Sequence, residues 1–151
     1  MKIINLTQTQ FKNYSNIHNQ RNFGQTIEYS NLPMNSKHKR LFLGLIDDSN
    51  NIHAAALIII KKISPNIYEA YSPNGFLIDY SNFDLVKIFT EELINYLKDE
   101  KVTYLIILYI FLKDYQNLFF YLRFFQSFYP FFFELFDELL RFLLLQLHIV
   151  F

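Results

Sequence analysis

Hydrophobic and polar positions along the first two thirds of the chain follow two periods, one suited to strands and one to helices. Lys2 to Leu6 has the short apolar run of a strand. From Thr7, a residue suited to a helix N-cap, Phe11, Tyr14, Ile17 and His18 recur at helical spacing. A second helical piece is expected around Thr26. Leu41 to Ile46 predicts a strand, Asp47 to Asn51 a turn, and Ile52 to Ile63 a longer strand, which together make a hairpin. Within that longer strand Ala54 to Ile60 shows no alternation, so both its faces should be covered and the strand should be central. Ser64-Pro65-Asn66 turns the chain into a third strand, Ile67 to Ser72. After Tyr80, Ser81 and Asp84 have the spacing of a capping pair and predict a helix over Asn82 to Asp99, with Val86, Phe89, Leu93 and Leu97 on its buried face. Val102 to Leu108 is a further apolar strand. Reached through a helix, it should lie parallel to Ile67 to Ser72.

This order predicts an α/β fold: part of a GNAT-like (acyl-CoA N-acyltransferase-like) domain, a mixed sheet with helices, lacking the last helix and two strands of that topology. We place this partial domain at residues 1–107 and a different object at 108–151. Of the 18 phenylalanines only six precede residue 110, and all three glycines lie in the first half. The Phe/Leu-rich tail is interrupted by Lys113, Asp114, Arg123, Glu134, Asp137, Glu138 and Arg141, so no stretch reaches the roughly 20 apolar residues of a membrane-spanning helix. Phenylalanine falls on all sides of it, which gives no single apolar face. Such text is what an AT-rich gene yields out of frame, and we expect a frameshifted or truncated, non-native segment rather than an anchor.

Composition narrows the function classes. The chain has 151 residues, enough for one core, and lysine plus arginine balance aspartate plus glutamate at 14 each. No global field argues for nucleic acid, and no specific DNA partner is expected. The absence of cysteine excludes disulfides, thiolate catalysis and cysteine-ligated zinc. Met1 to Phe11 has no apolar run of a secretory leader, so a cytoplasmic location is expected.

Candidate chemistry gathers in Ala70 to Tyr80, where a strand pattern breaks at Ser72-Pro73-Asn74-Gly75, resumes as Phe76-Leu77-Ile78, and ends in Asp79 and Tyr80. Gly75 can supply a positive φ and let backbone approach a ligand. The basic loop Asn35 to Arg40 reads either as a solvated loop or as a phosphate clamp through Lys37 and Lys39. His18 reads as a partly buried helix histidine, and Asp47 and Asp48 as turn residues rather than metal ligands. No metal site is expected.

Three segments, Phe23 to Tyr29, Leu41 to Lys62 and Ala70 to Ile107, together resemble the Fem-type peptidoglycan bridge-forming aminoacyltransferases (FemA, FemB and FemX). The third is the most specific, a strand ending in a Pro-x-Gly-Phe turn and an Asp-Tyr pair before a helix. The resemblance implies a transferase that moves an amino acid, commonly glycine, serine or alanine, from aminoacyl-tRNA to the stem peptide of a lipid-linked or UDP-linked peptidoglycan precursor. It implies no cofactor beyond aminoacyl-tRNA as co-substrate, and a place in the cytoplasm with peripheral association at the inner face of the cell membrane left open. On this resemblance Asp79 orients or deprotonates the acceptor amine, Tyr80 hydrogen-bonds it, and Lys37 or Lys39 holds the diphosphate. Asn74 departs from the arginine that many members carry. With the remainder of the family's first domain and its second domain not among these residues, the chain alone is expected to be inactive. Two alternatives stand beside it: an acetyl-CoA-dependent N-acetyltransferase, disfavoured by the single glycine between Ser72 and Asp84, and a non-enzymatic chain whose tail contacts membrane.

Overall fold

The computed structural model describes residues 1–33, 38–111 and 118–125, with side chains as far as residue 107. Among the described residues six strands form one sheet in chain order: β1 (Lys2–Asn5), β2 (Lys39–Ile46), β3 (Ile52–Ser64), β4 (Ile67–Ser72), β5 (Tyr104–Phe111) and β6 (Leu118–Phe125). β1 to β4 are an antiparallel meander, β4 and β5 are parallel, and β5 and β6 are antiparallel. The mixed α/β sheet expected from the pattern is therefore present. β6 lies in the stretch assigned to the tail and pairs along all of β5, while residues 126–151 lie outside the described residues.

Local chemistry sets the ends of the elements. Helix α1 (Gln8–Ile17) opens in a reciprocal capping box, Gln10 N–H donating to Thr7 Oγ1 at 3.2 Å and Thr7 N–H to Gln10 Oε1 at 2.9 Å. It stops at Ile17, which is 82% exposed, with His18 as its C-cap, so of the stripe Phe11 is buried, Tyr14 and His18 are half-buried, and Ile17 stands off the core. The β2–β3 turn is held by Asp47, whose Oδ1 accepts from the backbone N–H groups of Ser49 and Asn51. His53 also reaches Asp47 Oδ2 at 2.9 Å, and these donors hold the carboxyl well below the usual range. Asp47 is thus a turn residue.

The sheet carries two apolar layers. On one face Leu41, Leu43, Leu45, Ala54, Ala56 and Ile58 meet Val86, Phe89, Leu93 and Leu97 of helix α3 (Phe83–Asp99). On the other, Ala55, Leu57 and Ile59 meet Phe11 of α1, and Ile27 and Tyr29 of helix α2 (Ile27–Ser30) pack on them. β3 is covered on both sides, as its unbroken apolar run requires. Among the described residues no helix is long and apolar enough to cross a membrane.

The start of α3 corrects the sequence reading. Its N-cap is Asn82, whose side chain accepts from Leu85 N–H at 3.0 Å, and not Ser81. Ser81 is engaged elsewhere, donating both its backbone N–H and its hydroxyl to Asp79 Oδ1, which moves the cap one residue on.

Candidate functional site

Past Tyr71, which faces Ile59, the ladder between β3 and the next strand lapses, and it resumes where Leu77 bonds Ala55 in both directions. Four steps along β3 are matched by six on the other side, so two extra residues are pushed out as a turn. Asn74 (φ 57°) and Gly75 (φ 80°) make it, two successive left-handed residues of the kinds that tolerate this geometry. Gly75 supplies the positive φ expected of it. It is buried, and its carbonyl accepts from Ser72 Oγ at 2.6 Å.

The register that β4 sets would place Pro73 opposite Leu57, and proline has no N–H to give. Gln25 takes that place from the 3₁₀ turn Phe23–Gln25. Its Oε1 accepts from Leu57 N–H at 2.6 Å, and its Nε2 donates to Pro73 O at 2.8 Å, with Ser72 Oγ at 3.2 Å and Leu57 O at 3.4 Å. The carboxamide is fully buried. Gly24 makes the approach possible, since a Cβ there would stand 2.9 Å from Pro73 O and 3.0 Å from Asn74 Nδ2. Gln25 was given no role in the sequence reading. The available signal was a proline inside a continuing strand pattern, whose neighbour must find its donor elsewhere.

The insertion leads to the polar tip. Tyr80 turns back on it, its hydroxyl accepting from Phe76 N–H at 2.8 Å, with its ring against the α3-side core. Asp79 is exposed, and the Ser81 hydroxyl and N–H, 2.6 and 2.9 Å from Oδ1, hold its carboxyl below the usual range, with nearby His18 adding to the effect. Burial lowers His18 itself, and Asp79 opposes that shift. His18 Nδ1 lies 3.0 Å from Gln20 N–H, which makes it the acceptor and puts the ring proton on Nε2. Tyr14 lies against the His18 ring and is pushed up to about 12 by burial. Asp79 is consequently an exposed carboxylate held toward its ionised form, better built to hold a cation than to take a proton. Because its folded pKa is depressed, any stabilisation it gives exists above its unfolded pKa and fades as pH falls through the folded one. Ser81→Ala is expected to move the Asp79 titration, followed by carboxyl NMR, up toward the ordinary aspartate range. An unchanged titration would mean that the Ser81 hydroxyl does not set it.

The candidate cations are separated. Lys37 lies outside the described residues. Lys39 shares the parity of Leu41, Leu43 and Leu45, and is ion-paired with Glu100 at the end of α3. α3 has 17 residues, so Lys39 and Asp79 stand at opposite ends of a helix about 25 Å long. The opposite face carries Arg40, which sequence reading named only as part of the basic loop. It stands in one cross-strand row with Ile59 and Tyr71. Tyr71 and Tyr29 hydroxyls are 3.3 Å apart, and burial, then Tyr29, push Tyr71 above the usual phenol range while Arg40 acts the other way. Arg40 Nε and His38 Nδ1 are buried with no hydrogen-bond partner among the described residues. In the next row Lys61 pairs with Glu69 at 3.6 Å.

Among the described residues no group of three or more His, Asp or Glu could hold a metal ion. The start of α3, capped by Asn82 with Asp79 beside it, offers no open anion site of the kind a pyrophosphate loop needs.

Comparison with known proteins bears on this same stretch. The FemAB family model matches residues 6–116. Aminoacyltransferase FemA of Staphylococcus aureus, in strains MW2 and COL, is 30% identical over 105 residues, 70% of this chain and 25% of the relative. A crystal structure of FemX superposes with a TM-score of 0.60 at 17% identity, covering 71% of this chain and 27% of that one, which shows the shared GNAT-like fold. The chain spans about a quarter of the length of the relatives it matches. With the matched span running from the end of β1 through β5 and holding Gln25, the Asn74-Gly75 insertion and the Asp79-Tyr80 tip, the chain belongs to the FemAB family.

Proposed function

We propose that these residues form one wall of the acceptor cleft of an aminoacyltransferase. It would add an amino acid, glycine, serine or alanine, from aminoacyl-tRNA to the stem peptide of a peptidoglycan precursor during bridge formation. The observation that carries this reading is the family match over a strand insertion that ends in an exposed, fixed carboxylate. In such a transfer an acceptor amine attacks the ester carbonyl of the donor, a C–N bond forms as the ester C–O bond to the tRNA ribose breaks, and the proton lost by the amine ends on the departing ribose hydroxyl. Asp79 holds the incoming ammonium and orients it as it deprotonates. Its depressed pKa makes it a weak base, so its role is binding and aim. Tyr80, with its hydroxyl on Phe76, fixes the turn under the amine, and Gly75 lets that turn form.

The diphosphate contact is assigned to Arg40 in preference to Lys39. Arg40 lies on the α1/α2 face with two phenols near it, and its guanidinium forms no ion pair among the described residues, whereas Lys39 faces α3 and is neutralised by Glu100. From the Ile59 row, which holds Arg40, to the Ala55 row, which holds Leu77, is four residues of β3, about 13 Å at roughly 3.3 Å per residue. An extended stem peptide of about five residues covers that span. The precursor would be lipid-linked or UDP-linked, reached from the cytoplasm or the inner face of the membrane.

Titrating the isotope-labelled chain with a UDP-linked muropeptide tests the reading. Amide shifts should centre on Ser72 to Ser81 and on Arg40, and saturation without those shifts, or no binding at all, would count against it. Arg40→Ala should weaken affinity about tenfold, about 1.4 kcal/mol, with Lys39→Ala staying within about twofold. Equal losses for both would remove the assignment to Arg40.

A further inference from the structure

We infer that Gln25 is the positioning residue of this tip: its carboxamide replaces the strand residue that Pro73 cannot be, and thereby sets where Asp79 and Tyr80 stand. The inference rests on the proposed acceptor reading for its consequence, and on geometry alone for its substance.

A strand partner of Leu57 would offer it one carbonyl and one N–H. Gln25 offers it one carbonyl oxygen, at 2.6 Å, and one N–H, at 3.4 Å, so the side chain presents the two groups of a strand residue. The same Nε2 holds Pro73 O and Ser72 Oγ. Ser72 Oγ passes its own proton to Gly75 O, and Phe76 N–H, the next donor along, goes to Tyr80. A chain of hydrogen bonds therefore runs from Leu57 through Gln25 and Ser72 to Gly75 O, and the next residue along the chain, Phe76, holds the tip through its bond to Tyr80. A second tie, Asn22 Nδ2 to Asn74 O at 3.3 Å, fastens the start of the 3₁₀ turn to the same insertion. Gly24 sits between the two with no room for a side chain. Nothing here contacts substrate in the proposed cleft, so the role is one of position and not of catalysis.

Gln25→Glu separates positioning from mere filling of space. The variant keeps shape and the acceptor for Leu57 N–H, but once ionised it has no proton for Pro73 O, Leu57 O or Ser72 Oγ. Burial against three oxygen atoms pushes the introduced carboxyl above its ordinary range, and in its protonated form it can donate one bond again. Between about pH 5 and about pH 9 the labelled variant should pass from a wild-type-like spectrum to a displaced one. The changes should appear at Leu57, Phe76 and Ser81 and leave the β1–β2 ladder unmoved. Tyr14 on α1 and His18 at its C-cap, Tyr29 on α2, Tyr71 on β4, and Asp79 and Tyr80 at the tip are the titratable groups that face this region, and the wild-type spectrum over the same window subtracts them. Muropeptide affinity should fall about tenfold at the high end and recover at the low end.

Changes confined to Leu57, with Phe76 and Ser81 unmoved, would overturn the inference. Should the variant not fold, hydrogen exchange on the unaltered chain decides. The Gln25 carboxamide, Leu57 N–H and Phe76 N–H should open together with one denaturant dependence, and a carboxamide that exchanges independently of Phe76 overturns the inference equally. If the wild-type chain binds no muropeptide, the acceptor reading fails, while the spectral and exchange results still decide the role of Gln25.

Discussion

Gln25→Leu is expected to lower the unfolding free energy by about 4 kcal/mol, read from the denaturant midpoint. Leucine fits the volume but makes no hydrogen bond. It would leave Leu57 N–H, Leu57 O and Pro73 O facing apolar surroundings at a site with no solvent access. Each buried polar group left unsatisfied costs about 1–3 kcal/mol, and the added apolar contact offsets part of the sum. Against a total stability of about 5–15 kcal/mol, such a loss is large enough to unfold a marginal domain. A loss under about 1 kcal/mol would show that water or a shifted backbone takes over these bonds, and that the carboxamide is dispensable.

Phe89→Ala should cost a similar amount, about 3–5 kcal/mol, by leaving a cavity between α3 and the sheet. Phe89 is fully buried and meets Phe76 edge to face, with ring centroids 5.0 Å apart. Phe76 follows the insertion directly, so the two rings join α3 to the turn. The consequence is specific. Beyond lost stability, the Phe76 N–H to Tyr80 bond should loosen, seen as faster amide exchange at Phe76 than at Leu43 in the same variant. Phe89→Leu, which keeps much of the volume but not the ring pair, should lose less stability. If Phe76 and Leu43 change in proportion, the ring contact does not serve the tip.

The fold was legible where one residue type decides the local outcome. Thr7 caps α1 as its hydroxyl suggests, Asp47 closes the hairpin, β4 runs from Ile67 to Ser72 as patterned, and the α3 face is the one its spacing gives. Reading ran short where two groups compete for one donor. Ser81 is a good N-cap by type, but Asp79 two residues before it claims its N–H and hydroxyl, and Asn82 takes the cap. The site was legible as a stretch, not as a geometry. Asp79 and Tyr80 stand together at the tip. Lys39 does not face them, a result its shared parity with Leu41 and Leu43 implies once β2 is known to begin so early. Gln25 could not be found this way, because its partners lie 32 and 48 residues away and depend on a register that only the folded sheet defines.

That separation along the chain also fixes an order of events. The β2–β3 hairpin closes over a short turn and needs only neighbours, so it can form early. The insertion cannot be set until two long loops have closed and brought Gln25 to Leu57 and Pro73 at once. Its bonds are therefore expected to form late and to contribute little to the rate-limiting barrier from the unfolded side, which φ-values near zero at Gln25 would show. Their strength shows instead in how slowly the folded chain comes apart, so changes at Gln25 act on the lifetime of the native state more than on the speed of reaching it.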